Sequence, residues 1–229
     1  MMKKLGLNRE DYAEIEEAVK KAEEKTDGEI CIAIAAESSS YAFWELACSV
    51  AVALLLFAAI LPESDRIYSF LSSHIWGMKP WFMSALCVAS CVLVSVLLYF
   101  FYNIPAIDSR VIPQGAKDAA VSERAMTQFA QSGVYLTKNH SGVLVYISWF
   151  ERQVRIVADR GIGTKISQDL WNLVADELAE NLRSGKTKEA ILGVVERCGN
   201  LLEENFPATE GSEDELSNAV VILENRPWL

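Results

Sequence analysis

The sequence has only two histidines, His74 and His140, and no HExxH pair. A histidine-based zinc centre therefore lacks its usual ligand pattern. A Gly-rich phosphate loop and a GxSxG nucleophile turn are absent too. No basic stripe is present. Residues 1–61 carry eleven acids against six bases, residues 102–229 carry eighteen against thirteen, and the net charge of the 229-residue chain is −10. That balance argues against nucleic acid as a partner. No polybasic cluster flanks the apolar segments, which argues against an electrostatic lipid switch. The five cysteines are scattered, with Cys48, Cys87 and Cys91 inside apolar runs and Cys31 and Cys198 at predicted core positions. Cys87 and Cys91 share a helix face, but no His or carboxylate accompanies them. Small apolar packing residues are the better account of both.

What the sequence does have is uninterrupted apolar chain, in two places. Residues 43–61 hold one charge, Glu45, and Trp81–Phe101 holds none. At about 1.5 Å of rise per residue, each run reaches across a hydrocarbon core roughly 30 Å thick. Tyr41, Phe43, Trp44, Trp81, Tyr99 and Tyr102 stand at the ends, as in interfacial aromatic belts. Glu45 reads as an acid at the interface. Ala47 with Ala51, and Ala85 with Ala89, are small-xxx-small pairs that predict close packing within a hairpin. In the connection, Ile67, Phe70, Leu71 and Ile75 share a helical face. Ser64 is its expected cap and Gly77 with Pro80 its expected end, giving a short interfacial helix. The first apolar run starts only at residue 43, without a short leader and cleavage site before it. The expectation is an integral membrane protein with two spans and both soluble segments cytoplasmic. The positive-inside comparison is balanced, with Arg110 and Lys117 on one side and Arg66 and Lys79 on the other.

The rest of the chain reads as one interrupted soluble domain. Asn8 caps a helix to about Lys25, with Tyr12, Ile15, Val19 and Ala22 on one face and Asp27-Gly28 as its end. Glu29–Ala35, EICIAIA, is apolar on both faces, so it belongs in the middle of a sheet covered on both sides. Its partners must come from beyond the apolar hairpin. Residues 118–132 predict a helix with Val121, Ala125 and Phe129 inward, stopped by Gly133. After a turn at 138–141, Gly142–Ser148 is a second doubly apolar strand, and residues 153–159 form a third, antiparallel to it. Ser167 caps a helix carrying Leu170, Trp171, Val174, Leu178 and Leu182, stopped by Gly185. Thr187 begins a last helix with Ile191, Val194, Cys198 and Leu201. An acidic stretch then precedes a short strand-like run at 219–223. The fold class is α/β: an α/β/α sandwich with a small mixed sheet, interrupted by a two-helix transmembrane hairpin. Residues 1–40 and 103–207 make the two parts of the domain, residues 41–102 the hairpin with its loop, and residues 208–229 an acidic tail with a short strand.

The segment GVYLTKNHSGVLVYISWFERQVRIVADRGI, residues 133–162, resembles the TPM domain family. So do the opening helix with EICIAIA and the closing pair with RSGKTKEAILGVVERCGNLL. The likeness covers residues 8–36 and 118–206, and the hairpin is an insertion relative to the simplest members. The resemblance implies an α/β/α sandwich. It also implies divided functions, since some members are acid phosphatases and others assist photosystem or receptor assembly. Where many members have Gly-Tyr-Gly, this chain has Asp159-Arg160-Gly161. Ser141-Gly142 stands where the family has Asn-Gly or Asp-Gly.

Asp159, Arg160 and Gly161 close the third strand, and strand ends are where α/β sites gather. Arg160 suits a phosphate or carboxylate, and Asp159 suits a hard cation such as Ca²⁺ or Mg²⁺. The plainer account is an ion pair or turn cap. Ser141 and Gly142 are explained equally by turn chemistry. Glu123-Arg124 and Glu151-Arg152 read as solvated surface pairs, and Asp169 as an acid favoured in the first turn of its helix. If a ligand site exists, the turn at 139–142, the segment 159–161 and the helix start at Ser167 are expected to converge. No cofactor is required by any of this. The leading expectation is a membrane-anchored interaction or complex-assembly and maintenance module, with the lipid bilayer and another membrane protein as partners. The alternative is a divalent-metal-dependent phosphatase at the membrane surface.

Overall fold

The structure is a computed structural model that describes residues 6–75, 77, 79, 81–102, 111–137, 139–209 and 219–223. The chain divides into two compact units, Met1–Ser39 with Gly115–Leu229, and Ser40–Gln114. Pro80, Arg110, Lys138 and most of the acidic tail lie outside the described residues.

The first unit opens with helix α1, Arg9–Glu23. Asn8 accepts the Asp11 N–H, and the Asp11 carboxylate reaches back to the Asn8 N–H, forming a capping box. The helix ends before the Asp27-Gly28 stop read from sequence. Strand β1, Glu29–Ala35, is buried at every position. Residues 114–131 form the next helix of this unit (α5, Gln114–Gln131), four residues longer at its start than the sequence suggests. Strand β2 is Gly142–Ser148 and β3 is Gln153–Ala158. A four-residue helix α6, Arg160–Gly163, then leads to α7, Gln168–Arg183, and α8, Thr187–Asn205. Strand β4, Val221–Leu223, completes the sheet.

The sheet order is β3-β2-β1-β4. β1 runs parallel to β2 and to β4, while β2 and β3 form an antiparallel hairpin. The doubly apolar strands are therefore the central ones, as their composition requires. Ile30, Ile32 and Ile34 face α1, α7 and α8, joined by Val143, Val145, Ile147 and Trp171. Cys31, Ala33 and Ala35 face the other way, against Val121 and Ala125 of α5. Each fully buried isoleucine contributes on the order of 1.5–3 kcal/mol. The small side chains of β1 on the α5 face leave room for Tyr146 of β2, which is fully buried there. Burial pushes the Cys31 thiol up to about 11 and the Cys198 thiol up to about 12, so both are unreactive packing groups.

The second unit holds helix α2, Ala42–Ile60, a 3-10 turn Leu61–Glu63, helix α3, Ser64–His74, and helix α4, Trp81–Tyr102. Two helices here are long and apolar enough to cross a membrane. They pack on one another. The packed stripe differs from the expected one. Glu45, Ser49 and Ala53 are the buried residues of α2, while Ala47, Ala51, Ala85 and Ala89 are exposed. The stripe is still small-xxx-small in kind, shifted two residues around the helix. Glu45 is therefore packed, not set at a solvated edge, and the Ser49 hydroxyl donates to its carbonyl at 2.7 Å. Cys87 and Cys91 are half-buried on α4. Ser64 is the first residue of α3 and not its cap, since Glu63 precedes it without a side-chain hydrogen bond.

Because β1 sits between β2 and β4, the fragment 115–229 should fail to melt cooperatively. The same fragment joined to residues 1–39 by a flexible Gly/Ser linker should melt cooperatively in water. Ile32→Asp buries an unpaired charge and should cost roughly 3–5 kcal/mol of a stability of about 5–15 kcal/mol. Thermal melts by circular dichroism of the linked protein check both.

Candidate functional site

The hairpin register places Val143 opposite Ala158. The residue after β3 therefore meets the turn before β2. The Asp159 N–H donates to the Gly142 carbonyl at 2.9 Å. Asp159 then leaves the strand direction. Its Oδ1 accepts the Arg160 N–H at 2.6 Å and caps α6. The 159–161 segment is thus an N-cap and helix start, where a strand end was expected. The Asp159 side chain is 9% exposed, and its Oδ2 meets His140 Nδ1 at 3.1 Å.

The turn before β2 is held by its own hydroxyls. The Ser141 N–H donates to Thr137 Oγ1 at 3.1 Å, and Ser141 Oγ donates to the Asp27 carbonyl at 2.6 Å. His140 adopts φ 52°, in the left-handed region. This conformation is uncommon for residues other than Gly, Asn, Asp and His. It turns the imidazole toward Asp159 and Arg160. A side chain at 161 would meet the His140 carbonyl oxygen at 2.5 Å and that of Asn139 at 2.7 Å. At 142 it would run into the Val134 carbonyl oxygen. Glycine is required at both by close backbone approach.

Arg160 Nη2 lies 2.7 Å from His140 Nε2. A guanidinium has only donors. Nε2 therefore accepts, the imidazole proton sits on Nδ1, and it is donated to Asp159. The result is a chain of carboxylate, imidazole and guanidinium with each group satisfied by the next. Asp159, Arg160 and Gly161 do converge with Ser141 and Gly142, and His140 is the member that sequence reading left out. The Ser167 hydroxyl accepts the Leu170 N–H of its own helix at 3.4 Å. Both Asp159 oxygens are taken, and among the described residues no group of three His, Cys, Asp or Glu is placed to hold a metal ion.

The other end of the hairpin holds a second polar cluster. Glu151 is buried, accepting the Ser38 N–H at 2.9 Å and the Ser148 hydroxyl at 2.5 Å. Ser38 Oγ also meets Tyr146 Oη at 2.9 Å and Ser148 Oγ at 2.7 Å. Burial raises the Tyr146 hydroxyl above its ordinary pKa. Glu151 is thus a structural acid that ties the loop after β1 to the hairpin turn, and not a solvated surface partner of Arg152. The polar Ser148 at the end of an apolar strand was the only sequence signal for this cluster.

The TPM domain family model matches residues 107–201, the part of the chain that carries α5, the β2–β3 hairpin, α7 and most of α8. Residues 107–201 are thus similar to the TPM domain. Residues 29–35 lie outside that match and join the same sheet through strand pairing with β2. The NMR structure of BA42 protein from the psychrophilic bacterium Bizionia argentinensis is similar, with a TM-score of 0.55, 18% identity and 94% of each chain covered. At that identity the likeness is one of fold. No curated protein matches the chain.

With only two histidines in the chain, His74→Gln leaves a single imidazole to observe. Nitrogen-15 spectra of that variant should show His140 with a protonated Nδ1 and a bare Nε2. Asp159→Ala should abolish that tautomer preference and, as the loss of a helix cap, cost about 1 kcal/mol. An unchanged His140 spectrum in Asp159→Ala would disprove the pairing.

Proposed function

We propose that this chain is a membrane-anchored TPM domain that docks on another membrane protein or complex and supports its assembly or maintenance. The observation that carries the reading is the outer surface of the two long helices. Leu55 is 70% exposed and Phe100 is 67% exposed. Apolar surface on this scale belongs in lipid or against another apolar helix. A hairpin inserted between β1 and α5 would hold the TPM domain to the bilayer by both of its connections. The chain's net charge of −10 favours a protein partner over nucleic acid. The soluble segments lie in the cytoplasm in this reading, and the connection around α3 lies outside.

A second reading, phosphomonoester hydrolysis at the membrane surface, has one observation in its favour. The Asp159–His140–Arg160 chain sets an oriented imidazole beside a guanidinium. Were Arg160 to turn toward a phosphoryl oxygen, His140 Nε2 would be released as a base or nucleophile.

Two experiments separate these readings. Photo-crosslinking residues at positions 55 and 97 should each trap a defined membrane protein; crosslinks to lipid alone would remove the docking reading. Assays with a generic phosphomonoester, with and without Ca²⁺ or Mg²⁺, should show no turnover. Turnover lost in His140→Ala would instead establish the hydrolytic reading. For orientation, an impermeant maleimide applied from outside should label Ser72→Cys and miss Ser212→Cys, against silent Cys31 and Cys198. The reverse pattern would place the TPM domain outside.

A further inference from the structure

The far end of the β2–β3 hairpin, away from His140 and Asp159, borders a cavity of about 240 Å³. Gly142 and Ser148 lie six residues apart on β2, so the two ends stand roughly 20 Å from each other. Ile147, Trp149, Ala179 and Leu182 supply apolar lining, and among the described residues Arg152 and Arg183 are the charged groups on its wall. The space equals roughly eight waters at about 30 Å³ each. That is large enough for a small organic molecule and too small for a folded partner.

The two arginines are what make this cavity more than a crevice. Both are exposed. Among the described residues neither guanidinium meets a carboxylate, in a chain where 31 acids outnumber 21 bases. A base at 183 suits the C-terminal turn of α7 on helix-dipole grounds alone. Arg152 has no such account. It sits at φ 54° in the hairpin turn, a conformation that Gly or Asn adopts with less strain. Its side chain lines the cavity together with that of Arg183, the last residue of α7.

The geometry points to a binding site for a small organic anion, a phosphate or carboxylate head carried on an apolar body. The two guanidiniums take the head, each with paired donors in a fixed fork. Trp149, Leu182 and Ile147 take the body. A bare inorganic ion would leave the apolar lining unused, and a neutral apolar molecule would leave the guanidiniums unused. Such a ligand is either a free solute or the phosphate end of an anionic lipid. The site is separate from the Asp159–His140–Arg160 chain and does not depend on the function proposed for it.

The test is calorimetric titration of the full chain in phosphatidylcholine nanodiscs with phenylphosphonate, a probe that resists hydrolysis. One phenylphosphonate should bind per chain. Arg152→Gln and Arg183→Gln should each weaken binding about tenfold or more, with unchanged thermal melting because both side chains are exposed. Methylphosphonate, which lacks the apolar body, should bind about tenfold more weakly. If phosphatidate added to the nanodiscs competes with the probe, the site is supported with lipid as the source. If it does not, the site is supported with a free solute as the source. No binding at millimolar probe would overturn the proposal. So would binding that is lost in Arg160→Gln and kept in both Arg152→Gln and Arg183→Gln.

Discussion

The structure depends on one strand that cannot be left uncovered. β1 is apolar on both faces and buried at every position, and one helix of its own can cover only one of those faces. It takes β2 as a full-length neighbour, β4 on its other edge, α1 and α8 on one face and α5 on the other. All but α1 are encoded after the apolar hairpin. The domain is thus closed by non-local pairing, and its two surface connections at residues 39 and 115 are fixed by that closure. Everything chemical in this protein is arranged around the strand that β1 selects, since β2 carries a polar cluster at each of its ends.

Those ends are unlike one another. At the start of β2, charge is balanced internally: a carboxylate, an imidazole and a guanidinium satisfy each other in sequence. At the finish of β2, the acid is withdrawn into the structure, with Glu151 accepting from Ser38 and Ser148. Its sequence neighbour Arg152 is exposed and lines a cavity. A single adjacent acid–base pair is thereby split between two jobs. Buried carboxylates persist where their lone pairs are met by donors, and the two hydroxyl and amide donors here meet that requirement without the arginine.

Strands and faces were legible because their patterns are strong. EICIAIA and GVLVYIS permit only a buried, central reading, and α1, α7 and α8 keep clear apolar stripes. Three features were not legible. The packed face of α2 could not be read because a helix that is apolar all round has no periodic contrast, so Glu45–Ser49–Ala53 competed on equal terms with Ala47–Ala51. The burial of Glu151 could not be read because nothing near it in sequence reveals Ser38, which reaches it across the whole hairpin insertion. His140 was visible only as a turn residue. Its role depends on a left-handed backbone angle and on Arg160 lying across the strand ends. Asp159, Arg160, Gly161, Ser141 and Gly142 were placed together correctly by the logic of a hairpin. Ser167 was read correctly as a helix cap, and the four-residue helix between it and Asp159 carries no periodic signal of its own.

The insertion between β1 and β2 also imposes an order in time. A ribosome adding about 5–20 residues per second takes roughly six to twenty-three seconds to pass from Ala35 to Ser148. Throughout that interval β1 has only α1 made before it and lacks its β2 partner, and both apolar helices are synthesised within the same interval. The two long apolar helices are therefore made before the domain can close, and a strand suited to a dry interior waits unpaired meanwhile. Its Glu29 at one end and the small side chains Ala33 and Ala35 at the other temper its tendency to pair with a neighbouring chain. This is a selective pressure on β1 that the finished fold, with every position of that strand covered, no longer displays.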